Sequence, residues 1–242
     1  MVYKWINIFQ DWIYPPTCTL CGAAGNEGRD LCWGCLEELP YNLSHCALCA
    51  FPLTGSAHGL ICGSCTKKKP LYTRCLAAFR YAPPLDELVR GMKFHQRLNH
   101  ARLLGDLLTD YLEPRVEPDT KPECLIPVPL HRSRLRQRGF NQAVGLARPI
   151  AERLGIPMRY SAGRRTRATP VQTGFTPLER RRNVKNAFAV DDLGDLRHVA
   201  IIDDVVTTGT TVTELTRILK RAGIQRVDVW SACRTPLNIG RP

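Results

Sequence analysis

Two adjacent acidic residues, followed by a turn rich in threonine, form the first group in the sequence that could do chemistry. The segment VAIIDDVVTTGTTVTEL, residues 199–215, begins with the apolar run of a buried strand, after which Asp203 and Asp204 stand side by side. Carboxylates at the end of a parallel strand lie where α/β proteins bind ligands. Their partner must be neutral or cationic, such as sugar hydroxyls or a metal ion, because another anion would be repelled.

The turn after this acidic pair suits a phosphate group. Its residues offer hydroxyl donors and backbone N–H groups at the start of a helix, where anions are favoured. They are Thr207, Thr208, Gly209, Thr210 and Thr211. A ribose 5-phosphate would satisfy both halves of the segment, with its vicinal hydroxyls on the aspartates and its phosphate on the turn. The alternative is that the Asp and Thr residues serve only to cap the helix.

Eight of the eleven cysteines form four C-x-x-C pairs in the first part of the chain. The pairs are Cys18 with Cys21, Cys32 with Cys35, Cys46 with Cys49, and Cys62 with Cys65. Two such pairs can surround one zinc ion with four thiolates, so the sequence predicts two structural Zn²⁺ sites. Sequential pairing, first with second and third with fourth, gives two small ribbons in tandem, and interleaved pairing stays open. A disulfide framework is the alternative, which the lack of a recognisable secretory signal disfavours.

The formal net charge of +12 is concentrated in one part of the chain. Residues 131–185 contain fourteen Lys and Arg against two Glu, whereas residues 1–70 contain five basic and five acidic residues. In RSRLRQR, residues 132–138, arginine recurs at every second position, so an extended backbone would present these side chains on one face. A polyanion is therefore the predicted partner, either a small molecule's phosphates or nucleic acid. A solvated run of charge is the alternative.

Strand and helix patterns alternate after residue 70 and predict a second domain. Apolar runs such as CLIPVPL and HVAIIDDV alternate with amphipathic patterns, and the longest of these predicts one helix over residues 83–114. This alternation is typical of an α/β fold with a parallel sheet flanked by helices. We therefore expect a zinc-ribbon domain in residues 1–70 and an α/β domain in residues 71–242. No apolar run approaches the roughly 18 residues of a membrane span.

The segment VAIIDDVVTTGTT resembles the signature with which type I phosphoribosyltransferases bind phosphoribosyl pyrophosphate (PRPP). The runs PVPLHRSRLRQRGFNQA from Pro127 and RRTRATPVQTGFTPLERRRNVKNAF from Arg164, with the paired cysteines, are similar to one branch of that superfamily. This branch is the ComF family of competence protein F and GntX-like proteins. The resemblance spans most of the chain. It implies a type I phosphoribosyltransferase-like sheet, PRPP bound with Mg²⁺, and Asp203 and Asp204 as catalytic and PRPP-binding residues.

The same resemblance implies two basic loops that handle pyrophosphate. In the superfamily one loop after an early strand binds pyrophosphate, and a second, mobile loop closes over PRPP. The candidate residues in the two loops are Arg132, Arg134, Arg138, Arg164, Arg167, Gln172 and Arg181.

Two functions from different classes follow. The first is a Mg²⁺-dependent phosphoribosyltransferase with an acceptor that the sequence does not identify, linked through its family to competence and DNA utilisation. The second is a non-enzymatic protein that binds single-stranded DNA and interacts with DNA-uptake proteins. It would use PRPP, or another phosphorylated ribose, only as a ligand, or would keep only the fold. A cytoplasmic location is expected under both, because thiols stay reduced there.

Overall fold

A parallel sheet of four strands forms the centre of the computed structural model, which describes residues 15–55, 59–160, 163–166, 186–191 and 193–236. Its described strands are β1 Arg74–Arg80, β2 Cys124–Pro127, β3 Gly163–Arg165, β4 Phe188–Val190, β5 His198–Val206 and β6 Arg226–Arg234. The sheet order is β1-β6-β5-β2 with every pair parallel, and β3 pairs with β4 in a separate antiparallel ribbon. The central strands β5 and β6 are almost continuously buried, as expected when both faces of a sheet are covered.

Helices cover both faces of this sheet. Those described are α1 Trp33–Glu37, α2 Gly63–Lys67, α3 Leu85–Phe94, α4 Leu98–Leu112, α5 Arg132–Arg138, α6 Gln142–Leu154 and α7 Thr210–Arg221, with 3-10 turns at Glu113–Arg115 and Pro118–Thr120. Along β5, Ala200 and Ile202 pack with α3, α4 and α6, whereas Val199 and Ile201 pack with α7. This two-residue period confirms the predicted α/β fold. Within the described ranges, no helix has both the length and the apolarity needed to cross a membrane.

The helix predicted over residues 83–114 is interrupted between α3 and α4. Gln96 adopts a left-handed φ of 53° at the break. A Cβ at Gly91 would lie 2.5 Å from the ring of His100, so the glycine lets the start of α4 fold closely against α3. The His100 Nδ1 is also hydrogen-bonded to the Leu88 carbonyl oxygen at 3.0 Å. The single-helix prediction is wrong because it could not include this tertiary contact.

The cysteine-containing region packs directly against the edge strand β1. The backbone N–H of Asn42 donates to the Ala78 carbonyl oxygen at 2.9 Å, and its side-chain Nδ2 donates to the Ala50 carbonyl oxygen at 2.8 Å. Beside it, the rings of Tyr41 and Phe79 have centroids 5.1 Å apart. The ribbon region and the sheet therefore share buried surface.

Replacing Asn42, which is buried, tests this attachment. We expect Asn42→Ala to lower the free energy of unfolding by about 1–3 kcal/mol, because the carbonyl oxygens of Ala77 in β1 and of Ala50 would both lose a hydrogen bond from this buried side chain. Thermal unfolding of the zinc-loaded protein measures the change. The control is Leu43→Ala at a side chain that is 75% exposed, where the expected change is within about 0.5 kcal/mol. Equal, small changes in both variants would contradict the shared interface.

Candidate functional site

The acidic pair lies near the C-terminal end of β5, where its two carboxylates meet different neighbours. Successive side chains on a strand alternate between the two faces of a sheet. Asp204 therefore lies on the same face of the sheet as Ile202, which packs with α3, α4 and α6. Asp203 lies on the opposite face with Ile201, which packs with α7. Asp204 is buried and Asp203 is half-buried.

Lys93, near the end of α3, forms an ion pair with Asp204. Its Nζ lies 2.6 Å from Asp204 Oδ2. Burial by itself would raise the pKa of Asp204, but the charge and hydrogen bond of Lys93 outweigh burial and hold this pKa below its ordinary value. Burial would likewise lower the pKa of Lys93, and Asp204 raises it instead. Both groups therefore stay charged at neutral pH.

Asp203 has the opposite electrostatic character. Burial and the neighbouring charge of Asp204 raise the pKa of Asp203 well above its ordinary value. One of its carboxylate oxygens accepts a hydrogen bond from the Asp204 backbone N–H at 3.0 Å. A cation or a hydrogen-bond donor placed beside Asp203 would favour its ionised form. In terms of charge, this position suits sugar hydroxyls or a metal ion.

The turn between β5 and α7 leads into the helix through a glycine. Gly209 is the N-cap of α7 and has a left-handed φ of 74°, a conformation that favours glycine. This residue has no side chain with which to cap the helix, and the Thr208 and Thr210 hydroxyl oxygens lie 2.7 Å apart in a mutual hydrogen bond. The interpretation of the threonines as simple helix caps is therefore not supported.

A small open depression borders this turn. It is lined by Asp203, Val205, Val206, Thr207, Thr208, Gly209, Thr210, Thr211 and Val212. The structure thus brings one carboxylate of the acidic pair and all five predicted residues of the turn to a single surface.

The backbone of residues 132–138 is helical, so the prediction of an extended basic edge is wrong. His131 is the N-cap of α5, and its Nδ1 accepts a hydrogen bond from the Ser133 backbone N–H at 3.2 Å. Gly139 ends the helix with a left-handed φ of 76°. These two local signals outweigh the alternation of arginines, since arginine is itself a good helix former.

The helix divides the predicted arginines between two faces. Arg134 and Arg138, four residues apart, are half-buried on a common face, whereas Arg132 and Arg136 are exposed. Burial lowers the pKa of both Arg134 and Arg138, and the charge of Asp204 opposes this effect at Arg138. Of the predicted arginines in α5, Arg138 therefore lies near the acidic pair, and Arg134 lies near Arg138 and Arg165.

Arg164 and Arg165, which are consecutive in β3, have different surroundings. Arg164 is exposed and pairs with Asp191, with 2.8 Å between Nη2 and Oδ1. Burial and the charge of Arg134 lower the pKa of Arg165 to about 10, and the charge of Asp203 opposes them. The structure thus brings Arg165 to the acidic pair and leaves the predicted Arg164 with Asp191. The predicted loop residues Arg167, Gln172 and Arg181 lie outside the described residues.

Sequence reasoning missed two charged residues at this site, Lys93 and Arg234. Lys93 continues the buried series of Leu85 and Val89 at intervals of four along α3. A charged residue at such a position was the available signal. Arg234 is the last residue of the buried strand β6, and its Nη1 donates to the Val206 carbonyl oxygen at 2.7 Å. An arginine buried at the end of a core strand was the corresponding signal.

The paired cysteines form two clusters, and these confirm sequential pairing. The first cysteine site contains Cys18, Cys21, Cys32 and Cys35, and the second cysteine site contains Cys46, Cys49, Cys62 and Cys65. The four sulfur atoms of each site lie within 4.8 Å of one another. The Sγ atoms of Cys21 and Cys32 are 3.6 Å apart, and those of Cys49 and Cys62 are 3.7 Å apart.

These sulfur distances fit tetrahedral zinc. Four sulfurs at the usual Zn–S distance of about 2.3 Å stand about 3.8 Å from one another, whereas a disulfide requires about 2.05 Å. All eleven cysteines are free thiols in this structure. Both cysteine sites are therefore suited to Zn²⁺, and neither the disulfide framework nor interleaved pairing describes them.

Comparisons with known proteins agree with both parts of this arrangement. The family of the double zinc ribbon domain matches residues 9–66, and the family of the phosphoribosyl transferase domain matches residues 141–237. The fold and the site thus define a phosphoribosyltransferase-type α/β protein that carries an N-terminal double zinc ribbon.

Full-length relatives place the chain within this class. It is 38% identical to DNA utilization protein YhgH of Escherichia coli strain K12 over 91% of this chain and 98% of that protein. It is 34% identical to Competence protein F of Haemophilus influenzae over 84% of this chain and 90% of that protein. The chain therefore belongs to the ComF family. A distant structural neighbour is the purine phosphoribosyltransferase of Pyrococcus horikoshii, with 19% identity, a TM-score of 0.33, and coverage of 59% of this chain and 78% of that one.

The raised pKa of Asp203 predicts that the ionised carboxylate lowers the free energy of unfolding of the ligand-free protein. A carboxyl group whose folded pKa lies above its unfolded value destabilises the fold when ionised, and this cost declines as the pH falls below the folded pKa and vanishes below the unfolded pKa. We expect Asp203→Asn to raise the melting temperature by a few degrees at neutral pH. The gain should shrink as the pH falls and disappear at about pH 3, where the wild-type carboxyl group is protonated in both states.

Asp204→Asn is the matched control for this measurement, because it leaves the charge of Lys93 without its partner. We expect a loss of about 1.5–3 kcal/mol at neutral pH. Melting curves recorded across the pH range distinguish the two variants. A lower melting temperature for Asp203→Asn at neutral pH would contradict the electrostatic description of the pair.

Proposed function

We propose that this chain binds PRPP at the C-terminal edge of β5. The vicinal hydroxyls of the ribose would face Asp203 and Asp204, and the 5-phosphate would bind at residues 207–211. The observation that carries the proposal is an acidic pair followed at once by a helix start whose cap, Gly209, has no side chain. The partial positive charge at the N-terminus of α7 favours a phosphate.

The charge of the acidic pair also supports a ligand site. An ionised carboxylate with a raised pKa lowers the stability of the free protein, so packing alone gives no reason for Asp203. A ribose hydroxyl that donates to this carboxylate would offset the cost. The residue is thus better accounted for by a ligand than by the fold.

The cations around the pair supply a place for the pyrophosphate group. Lys93, Arg134, Arg138 and Arg165 come from three different elements and converge near the aspartates. Burial lowers the pKa of each of the three arginines, so a bound anion would stabilise their charged forms. Guanidinium groups also match the geometry of phosphate oxygens.

We further propose that the site catalyses phosphoribosyl transfer. The bond between C1 of the ribose and the pyrophosphate oxygen would break, with its electron pair leaving on pyrophosphate, while a nitrogen nucleophile bonds to C1. The arginines would stabilise the charge that develops on the leaving group, and the acidic pair would hold the ribose in position. The protein's contribution is therefore mainly positioning and electrostatics.

Asp203 is the better placed of the two aspartates to interact with Mg²⁺, because Lys93 already neutralises Asp204. Carboxylate oxygens are the donors that this hard cation prefers. When bound with PRPP, Mg²⁺ would neutralise part of the charge on pyrophosphate.

The names of the relatives suggest where this chemistry is used. They are a DNA utilization protein and a competence protein, and we propose a cytoplasmic role for this chain in the use of DNA. In this arrangement a ribbon domain in residues 1–70 would accompany a transferase domain in residues 71–242. The acceptor would then be sought among nucleobases and other nitrogen nucleophiles released from DNA.

Calorimetric titration with PRPP and Mg²⁺ tests the proposal on the zinc-loaded protein. The double variant Asp203→Asn with Asp204→Asn should bind at least about 100-fold more weakly, since two charge-assisted hydrogen bonds to the ribose are lost. The control is Arg132→Gln with Arg136→Gln, which removes two charges on the exposed face of α5 and should keep the wild-type affinity. Unchanged binding by the aspartate double variant would reject the site.

A second candidate function, binding of single-stranded DNA, is favoured by the outer face of α5. Arg132 and Arg136 are exposed there. Beside the other face of α5, the 59% exposed ring of Phe94 lies 5.9 Å from the Arg138 guanidinium carbon, where a base could stack.

The salt dependence of oligonucleotide binding separates this candidate from the first. Each phosphate contact contributes about 0.7 to the slope of log affinity against log salt. Arg132→Gln with Arg136→Gln should therefore reduce the slope for an oligothymidylate while PRPP binding stays unchanged. An unaltered slope, or no binding to the oligonucleotide, would remove the second candidate.

A further inference from the structure

Arg234 connects the phosphate-binding turn to the second cysteine site. This residue ends β6 and is only 7% exposed. Its position in the sheet is next to the end of β5, since Arg234 lies in register with Val206. A buried guanidinium group must satisfy several donors within the protein, and the partners it uses here come from two distant parts of the chain.

On one side, Arg234 holds the backbone of the turn. Its Nη1 donates to the Val206 carbonyl oxygen at 2.7 Å and also to the carbonyl oxygen of Thr207. These two carbonyls belong to the last residue of β5 and to the first residue of the turn that leads to α7. The direction in which the turn leaves β5 is therefore fixed by this guanidinium group.

On the other side, Arg234 holds the second cysteine site. Its Nε donates to the carbonyl oxygen of Cys49 at 3.0 Å, and its guanidinium carbon lies 5.6 Å from the centroid of the Phe51 ring. The neighbouring Leu48 carbonyl accepts a hydrogen bond from the Cys75 N–H of β1 at 2.9 Å. The C-x-x-C turn of Cys46 and Cys49 is thus attached both to the sheet and to the arginine.

The two cysteine sites differ in what they pack against. Cys46, Cys49 and Cys65 belong to the same hydrophobic cluster as Val206 and Val212, which flank the turn. Cys18 of the first cysteine site belongs instead to the cluster formed by α3, α4 and α6. The first cysteine site is therefore a natural internal control for any effect that the second one has on the turn.

We propose that Arg234 is a positioning residue through which the metal-bound second cysteine site orders the phosphate-binding turn. Metal bound at the second cysteine site fixes the backbone at Cys49. The hydrogen bonds of Arg234 to the Cys49, Val206 and Thr207 carbonyls then fix the start of the turn. Loss of metal from the second cysteine site loosens the turn and weakens phosphate binding, whereas loss from the first does not. The ligand-binding part of this inference rests on the proposed function, and the ordering of the turn does not.

Hydrogen exchange of the full-length, zinc-loaded protein tests the ordering without any ligand. In Arg234→Gln the amides of residues 206–212 should exchange about tenfold faster than in the wild type, because one or more buried hydrogen bonds are lost. Arg74→Gln is the control, since it also removes an arginine's charge, and Arg74 pairs with Asp228 at the opposite end of the sheet. Exchange in the turn should be unchanged in this control.

Two serine variants test the origin of the effect in the cysteine sites. Cys62 and Cys32 occupy equivalent places, because each is the third ligand of its site and the N-cap of the short helix that follows. Cys62→Ser should speed exchange in residues 206–212, whereas Cys32→Ser should leave it unchanged. Zinc content measured on each variant shows whether the intended site has lost metal. Equal acceleration in both serine variants would overturn the proposal.

Arg234→Lys keeps the inference testable if Arg234→Gln does not fold. A lysine keeps the charge but cannot bridge the Cys49 and Val206 carbonyls as the guanidinium group does, so the turn should remain partly protected. Full wild-type protection in Arg234→Lys or in Arg234→Gln would overturn the role of Arg234.

Titration with PRPP and Mg²⁺ then separates failure of this inference from failure of the proposed function. Arg234→Gln should bind about tenfold more weakly than the wild type. If the wild type binds PRPP and Arg234→Gln binds equally well, the inference fails and the proposed function stands. If the wild type does not bind PRPP, the proposed function fails, and the exchange experiment alone decides whether Arg234 orders the turn.

Discussion

The placement of two carboxylates side by side at the end of a buried strand is the constraint on which the rest of this site depends. Two negative charges in such a place repel each other and lose solvation, so they persist only where positive charge converges on them. Lys93 supplies that charge directly, at 2.6 Å from Asp204. Arg138 and Arg165 add weaker contributions from α5 and β3. Positive charges from three separate elements, α3, α5 and β3, thus converge on one pair of aspartates.

The two aspartates differ in their electrostatic surroundings, and this difference suggests a distinct role for each. Asp204 is neutralised by Lys93 and behaves as a structural anion that anchors α3 to the strand. Asp203 stays without such compensation, with a raised pKa, and borders the depression next to the turn. Pairs of carboxylates whose pKa values are driven apart commonly serve distinct roles. Under the proposed function, Asp203 would therefore make the closer contact with the ribose or the metal, and Asp204 would contact the ribose while also keeping the strand end in place.

The parts of this arrangement that could be predicted from sequence are those encoded by local spacing. The C-x-x-C pairs predict tetrahedral sulfur sites, and the acidic pair with its Thr-Gly turn predicts a strand, a turn and a helix in that order. The arginines of residues 132–138 could not be placed in this way, because alternation fits a strand while the i and i+4 pair Arg134 and Arg138 fits a helix. His131 and Gly139, which bound α5, decide in favour of the helix.

Lys93 and Arg234 could not be predicted, because their partners lie far away in the chain. Lys93 contacts a residue of β5, and Arg234 contacts the C-x-x-C turn of Cys46 and Cys49, so both depend on tertiary packing rather than on local pattern. The same holds for the break between α3 and α4, which exists because the His100 ring occupies the space beside Gly91. In the sequence, the signal for Lys93 and for Arg234 was a charged residue within an otherwise buried series.

The most direct test of the central claim is a crystal structure of the zinc-loaded protein with PRPP and Mg²⁺ bound. The account predicts the 5-phosphate in the turn at residues 207–211 and the ribose hydroxyls within hydrogen-bond distance of Asp203. It also predicts that pyrophosphate oxygens lie toward Arg134 and Arg138. Electron density for PRPP elsewhere on the protein, with the Asp203 carboxylate left to solvent, would contradict the assignment of this edge of the sheet as the ligand site.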